Sequence, residues 1–313
     1  MDSVQHNPGF LHLLPLKGGG EWLHMCIRHS ETSNYLMDHV ALDNLIVAAL
    51  LEEDTRSRIR VRDDGIMVLL KAIRVDGQDM PRPEDMVSMR LWLTPTTVIS
   101  TREADVDPVL EIAARLSAGA GPATPSNFFA DLVDEHLDGV ERFVEQIEDD
   151  TNQIGAIVAQ DEVDTACPKM SDAATRISGF LRHLGPQRQV LETLSELRHE
   201  VLEDRDRLRL DDALTRLLRL IETLQDLRER IDILNHQVGR IQDRRLNRSS
   251  YIFAAVATIF LPLSFLTGLF GVNLMGLPFS ESPKGFWALA AICVAIVATV
   301  LSVFGICRWR KWL

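Results

Sequence analysis

Basic residues are in short supply, 33 Lys and Arg against 45 Asp and Glu, a formal net charge of −12. A nucleic-acid binder gathers basic residues in a patch, so nucleic acid is excluded as a partner. Cysteine is scarce as well. Cys26, Cys167, Cys293 and Cys307 are scattered, and the last two stand inside apolar runs. No disulfide framework is readable, which suits a reducing compartment. Met1–Gly20 lacks the charged-then-apolar pattern of a leader, so no signal peptide is expected. Also missing are a P-loop, a nucleophile beside its base and a dinucleotide fingerprint. The chain is therefore not expected to be an enzyme, and no cofactor is expected.

The most informative absence is local. Tyr251–Gly271 and Phe286–Cys307, 21 and 22 residues, contain no charge at all. At about 1.5 Å per residue each reaches roughly 31–33 Å as a helix, enough for a hydrocarbon core of about 30 Å. No third such stretch exists, which excludes a large polytopic carrier. Arg240, Arg244, Arg245 and Arg248 precede the first stretch, and Arg308, Arg310 and Lys311 follow the second, whereas the loop between them holds only Lys284. Basic residues stay on the cytoplasmic side, so both termini are expected there. Trp287, Trp309 and Trp312 fall where interfacial aromatics belong. Lipid is thus a partner of the C-terminal hairpin.

The remainder reads as a cytoplasmic portion of two textures. Residues 1–120 are mixed α/β. Glu21–Arg28, Ile59–Val61, Ile66–Val75, Val87–Leu93 and Thr97–Thr101 are short apolar or β-branched runs, with turns at Asp63-Asp64-Gly65 and Asp76-Gly77. Ala41–Glu53 and Val106–Ser117 have helical patterns, and Gly119–Pro125 has the composition of a linker. Beyond it the pattern predicts a helix over Phe128–Gln160 with one acidic face, a break at Cys167-Pro168, and a second helix from about Lys169 to Glu203. From near Leu208, a seam of Leu210, Leu214, Leu217, Ile221, Leu224, Leu227, Ile231, Leu234, Val238 and Ile241 steps by three and four. Nothing interrupts it before Tyr251, so it predicts one stalk helix running into the first span. A hairpin of two spans has no interior, so a polar path needs several copies, and the seam offers a surface for assembling them or for packing on the second helix.

The first span ends Phe260-Leu-Pro-Leu-Ser-Phe-Leu-Thr-Gly-Leu-Phe-Gly-Val-Asn273. With two C-terminal spans and the basic tail Arg308–Leu313, this resembles the CorA superfamily of divalent-cation transporters. Its Gly-Met-Asn signature is Gly271-Val272-Asn273 here, a variant similar to the ZntB zinc-transporter branch. The resemblance is specific over residues 247–278. It implies an oligomeric funnel: an α/β cytoplasmic domain (1–120), a cytoplasmic helical hairpin (121–207), a stalk helix (208–250), a pore-forming span (251–271), an external loop (272–285), a second span (286–307) and a basic cytoplasmic tail (308–313). It also implies a homopentamer in the bacterial inner membrane, with Zn²⁺ as substrate and uptake linked to protons.

Asn273 offers a carboxamide oxygen without charge. A ring of such oxygens can hold a divalent cation through its water shell, and Gly271 permits a bend at the helix end. Gly-Val-Asn also makes a simple helix cap. Matching the family's pore helix at Pro262 places Asn247, Ser250, Phe253, Leu261, Ser264 and Asn273 on the axis, with Thr258 and Thr267 beside them. Phe253 and Leu261 would be apolar constrictions. Pro262 cannot bond the Thr258 carbonyl, which frees one oxygen in mid-membrane. Neither span holds Asp, Glu or His, so any proton coupling uses groups outside the bilayer. His24, Cys26 and His29 are metal-type ligands, but on a strand only the first two share a face. Outer-shell recognition by Asn separates hydrated ions poorly, so Mg²⁺, Co²⁺ or Ni²⁺ stands as the alternative substrate. A membrane-anchored sensor or scaffold is the reading from another class.

Overall fold

The computed structural model describes residues 11–53, 56–74, 86–271 and 284–309 and, within these, the side chains of all but 269–271, 289 and 304–309. The chain divides into two compact units, Met1–His236 and Gln237–Leu313.

The first unit is built on a six-stranded sheet of order β1-β2-β6-β5-β4-β3. The strands are β1 Leu11–Pro15, β2 Glu21–Cys26, β3 Arg58–Arg62, β4 Gly65–Ile73, β5 Met86–Leu93 and β6 Thr97–Arg102. Only β2 and β6 pair in parallel; β1–β2, β3–β4, β4–β5 and β5–β6 are antiparallel. Alternation along the strands sends side chains to two covered faces. Leu23, Met25, Met67, Leu69, Trp92 and Ile99 join a core with Leu36, Ile46, Val47 and Leu50. Those last four belong to helices α1 (Thr32–Asp38) and α2 (Asn44–Leu51). Trp22, Ile66, Val68, Leu70, Leu91 and Val98, all buried, point to the other face, toward α3 (Asp107–Ser117), α4 (Pro125–Ala159) and α5 (Val163–Glu196). The Asp63-Asp64-Gly65 turn demands glycine, since a Cβ on Gly65 would lie 2.5 Å from the Leu93 carbonyl oxygen.

Three boundaries differ from the sequence reading. Gly119–Pro125 is packed chain, not a free linker. Gly121, Pro122 and Pro125 are buried. Gly18 donates to the Ala123 carbonyl at 2.9 Å, and a Cβ on Gly18 would meet that oxygen at 2.5 Å. Thr124 then caps α4 by accepting from the Asn127 N–H. Small residues serve close approach here, which composition alone cannot separate from flexibility. The helical turn comes at Gln160–Glu162, where Asp161 has a φ of 60°, and Pro168 lies inside α5. A proline so near a helix start removes one bond, to the carbonyl four residues back, and leaves the helix intact. Finally, α5 ends at Glu196, and α6 spans Asp204–Gly271, 68 residues with Pro262 inside. The Asp76-Gly77 turn falls outside the described residues.

Helices α4, α5 and the first part of α6 run alternately. Phe143 stacks on Phe180 at 3.6 Å and Arg176 reaches Asp150 at 3.0 Å, so α5 descends as α4 rises. Arg209 pairs with Asp131 and Asp134 at 2.8 and 2.6 Å, and Arg216 with Asp138 and Glu141 at 2.6 and 2.8 Å. Both partners advance by seven residues, so α6 runs parallel to α4. The acidic face of α4 is thus partly an ion-pair ladder. The buried seam of α6 includes Ala213 and Leu220, whereas Leu214 and Ile221 are half-buried.

The second unit holds the rest of α6 and α7 (Gly285–Trp309). Both helices are long and apolar enough to cross a membrane.

Candidate ion pathway

From Tyr251 to Gly268, α6 has two sides. Tyr251, Ala255, Ile259, Pro262, Leu263 and Leu266 are half-covered and the other positions are exposed. At about 100° per residue these six form one side. On α7, Ala288, Cys293, Ile296, Val297 and Val300 are half-covered in turn, as a hairpin of two packed spans requires. On the far side of α6, turned roughly 170° away, lie Ser250, Phe253, Ala257, Leu261, Ser264 and Gly268. They are all exposed; Phe253 is 72% and Leu261 73% open.

Four of the expected pore residues, Ser250, Phe253, Leu261 and Ser264, thus share a line that one chain leaves uncovered. Asn247 is exposed one turn before Ser250. Thr258 and Thr267 flank the line by roughly 80–100°. Their hydroxyls donate to their own helix, Thr258 to the Ala254 carbonyl at 2.7 Å and Thr267 to that of Leu263 at 2.9 Å. Gly271 is the last residue of α6; Val272 and Asn273 lie outside the described residues. Asp243, exposed and seven residues before Ser250, continues the line. The sequence reading stopped at Asn247, and the same period carried one turn further reaches this carboxylate.

The line sets the hydroxyls of Ser250 and Ser264 on either side of the bulky apolar pair Phe253 and Leu261, with Asn247 to one flank. It supplies no nucleophile, and among the described residues no three His, Cys, Asp or Glu side chains gather to hold a metal. His24, Cys26 and His29 in particular are not brought together. Cys26 ends β2, and the chain turns at once, His29 N–H donating back to the Cys26 carbonyl at 3.3 Å. His24 is 4% exposed. It shares Ser100 Oγ with Trp22, whose indole N–H donates at 2.8 Å while His24 Nδ1 lies at 2.7 Å. Its Nε2 has no partner. Burial, then the charges of Arg102 and His12, push its pKa down to about 3. A second buried imidazole, His136, bonds Gln187 Oε1 at 2.7 Å, and Gln187 Nε2 donates to the Lys71 carbonyl at 2.9 Å. Burial pushes His136 down to about 4, against the raising effect of Gln187. The neutral imidazole of His24 ties β2 to β6, and that of His136 ties α4 to α5, whose Gln187 reaches β4.

Comparison with known proteins decides the family. The description "CorA-like Mg2+ transporter protein" matches residues 17–310. The chain belongs to the CorA-like Mg²⁺ transporter family. It is therefore a membrane transporter of divalent cations and not an enzyme. Over 93% of this chain and 88% of the other, it is 29% identical to the zinc transport protein ZntB of Yersinia enterocolitica. It is 32% identical to the divalent cation transporter CmaX of Pseudomonas aeruginosa over 92% of this chain and 87% of that one. The solved structure of full-length CmaX superimposes with a TM-score of 0.78 at 29% identity, covering 97% of this chain and 93% of that one. The α/β domain, long helix and second apolar helix are thus the family's architecture.

Proposed function

We propose that this protein moves Zn²⁺ across a bacterial inner membrane through a path lined by α6 in a homo-oligomer, a pentamer by family resemblance, with both termini in the cytoplasm. The observation that carries the reading is the uncovered line Ser250–Phe253–Leu261–Ser264, which leads to Gly271-Val272-Asn273. A lone chain leaves hydroxyls and bulky apolar groups together on one side of a span, and copies arranged about an axis would give that side an interior. Asn273 carboxamides would receive the hydrated ion at the outer mouth, serine hydroxyls would line its course, and Leu261 and Phe253 would close it by dewetting. Zn²⁺ is supported by similarity to proteins named for zinc transport. The absence of charge in the spans directs any proton linkage to groups outside the bilayer.

Mg²⁺ is the second reading, favoured by the family description and by a recognition group that reads hydrated ions by size and charge alone. Uptake of Zn²⁺, Mg²⁺ and Co²⁺ into proteoliposomes, at two pH gradients, tests both. Zn²⁺ flux that rises with an inward proton gradient supports the first. Mg²⁺ flux without Zn²⁺ flux selects the second. No flux of any of the three sinks the pathway. Replacing Leu261 or Phe253 with Ser should hydrate the neck and raise basal leak, and unchanged leak in both would place them against lipid.

A further inference from the structure

The charges at the cytoplasmic end of the first span are sorted by helix side. Arg240, Arg244 and Arg248 step by four and continue into Tyr251, Ala255 and Ile259, the half-covered side of the span. Asp243 lies in line with Ser250, seven residues before it. Arg244 and Arg248 therefore face away from the ion line and Arg240 flanks it, and all three are exposed. Nearer its start, α6 pairs Arg209 and Arg216 with carboxylates of α4. These three make no ion pair among the described residues; Arg244 Nε donates only to the Arg240 carbonyl of its own helix, at 3.2 Å.

Their height decides what they can meet. At about 1.5 Å per residue, Arg248 stands roughly 4–5 Å and Arg244 roughly 10 Å below the first residue of the span. The headgroup layer is about 5–8 Å deep on each side of the hydrocarbon, and a long side chain can extend its charge to that level. Arg240, roughly 16 Å down, is beyond a Debye length of about 8 Å from the layer.

We propose that Arg244 and Arg248 form a binding site for an anionic phospholipid of the cytoplasmic leaflet, the two guanidiniums holding its headgroup phosphate on the outward side of each protomer. Guanidinium donors match phosphate oxygens in geometry as well as charge. The proposal rests on the proposed orientation of the spans and, for the outward placement, on the pathway reading; it needs no metal.

The test uses full-length protein reconstituted in discs of equal phosphatidylcholine and phosphatidylglycerol, extracted gently, with retained lipids counted by mass spectrometry of the intact protein. Wild type should keep phosphatidylglycerol in preference. Each arginine removed should cost about fivefold in that preference, so R244Q/R248Q should lose most of it, R244K/R248K should keep more than half, and R240Q should change it less than twofold. If the double glutamine variant does not assemble, R248Q alone carries the test at about fivefold. An unchanged preference in R248Q or the double variant overturns the site. So does displacement of the lipid by soluble glycerol phosphate at matched concentration, which would mean that the arginines take any phosphate. Metal uptake is not read, so loss of lipid preference and loss of transport remain separate results.

Discussion

Gln187 and Ser264 are both polar side chains on long helices. Gln187 is 2% exposed, and its carboxamide joins His136 on one side to the Lys71 carbonyl on the other. Ser264 stands uncovered on α6 beside Leu261. The first unit pairs most of the polar groups it buries, His24 Nε2 being an exception, since each orphaned group costs about 1–3 kcal/mol. The second leaves polar and bulky apolar groups together in the open. The difference separates a surface that is finished within one chain from one that needs further copies, water or lipid.

The largest expected effect would come from the outer end of the open line. If Asn273 receives the hydrated ion as proposed, Asn273→Ala should bring uptake to background with oligomer size unchanged, because a side chain that meets water contributes little to folding. Wild-type flux in that variant would break the comparison at its functional end. On the finished side, Phe143→Ala should cost about 3–5 kcal/mol, since the ring stacks on Phe180 and lies under Arg176. Thermal unfolding would read this as a large drop in melting temperature, and no drop would mean that α4 and α5 are held elsewhere.

Acid sharpens the same contrast. Above pH 6.5, His24 and His136 are neutral in the folded and the unfolded chain alike. Below it the unfolded chain takes the proton first, so stability falls with pH, by about 1.4 kcal/mol per unit for each histidine. The loss levels off near pH 4 for His136 and near 3 for His24, and for His136 it totals about 3 kcal/mol. Melting curves from pH 7 to 5 should show the fall, and His136→Gln should flatten about half of it. The smallest effect is expected at Arg216. Its pairs with Asp138 and Glu141 are partly solvated, so Arg216→Gln should cost no more than about 1 kcal/mol. A larger loss would make the α4–α6 ladder a main support of the helical layer.

The spans were readable because charge vanishes from them, and the stalk because a three-four period needs no tertiary context. The seam shifted at Ala213 and Leu220, since two helices pack on α6 and cover a side wider than a single stripe. β1, with three leucines and a proline in LHLLP, and the seven-residue α1 have too few residues to declare a period. The packed role of Gly119–Pro125 depends on the distant Gly18 loop, which no local pattern reveals. At the site, Ser250, Phe253, Leu261 and Ser264 came from matching the family's pore helix at Pro262, and α6 holds the four on one exposed line. His29 was separated from His24 and Cys26 only by the structure, in which β2 ends at Cys26 and the chain turns away.

The central claim, that the open side of α6 lines the ion path, is tested most directly by single cysteines in a background without native cysteine. With transport running, Ser250→Cys, Leu261→Cys and Ser264→Cys should be modified by a water-soluble thiol reagent and lose flux, while Ala255→Cys and Ile259→Cys should stay unmodified and active. Modification of Ala255→Cys and Ile259→Cys with Leu261→Cys and Ser264→Cys untouched would contradict the account, because the water-filled side of the helix would then be the one that the chain itself covers.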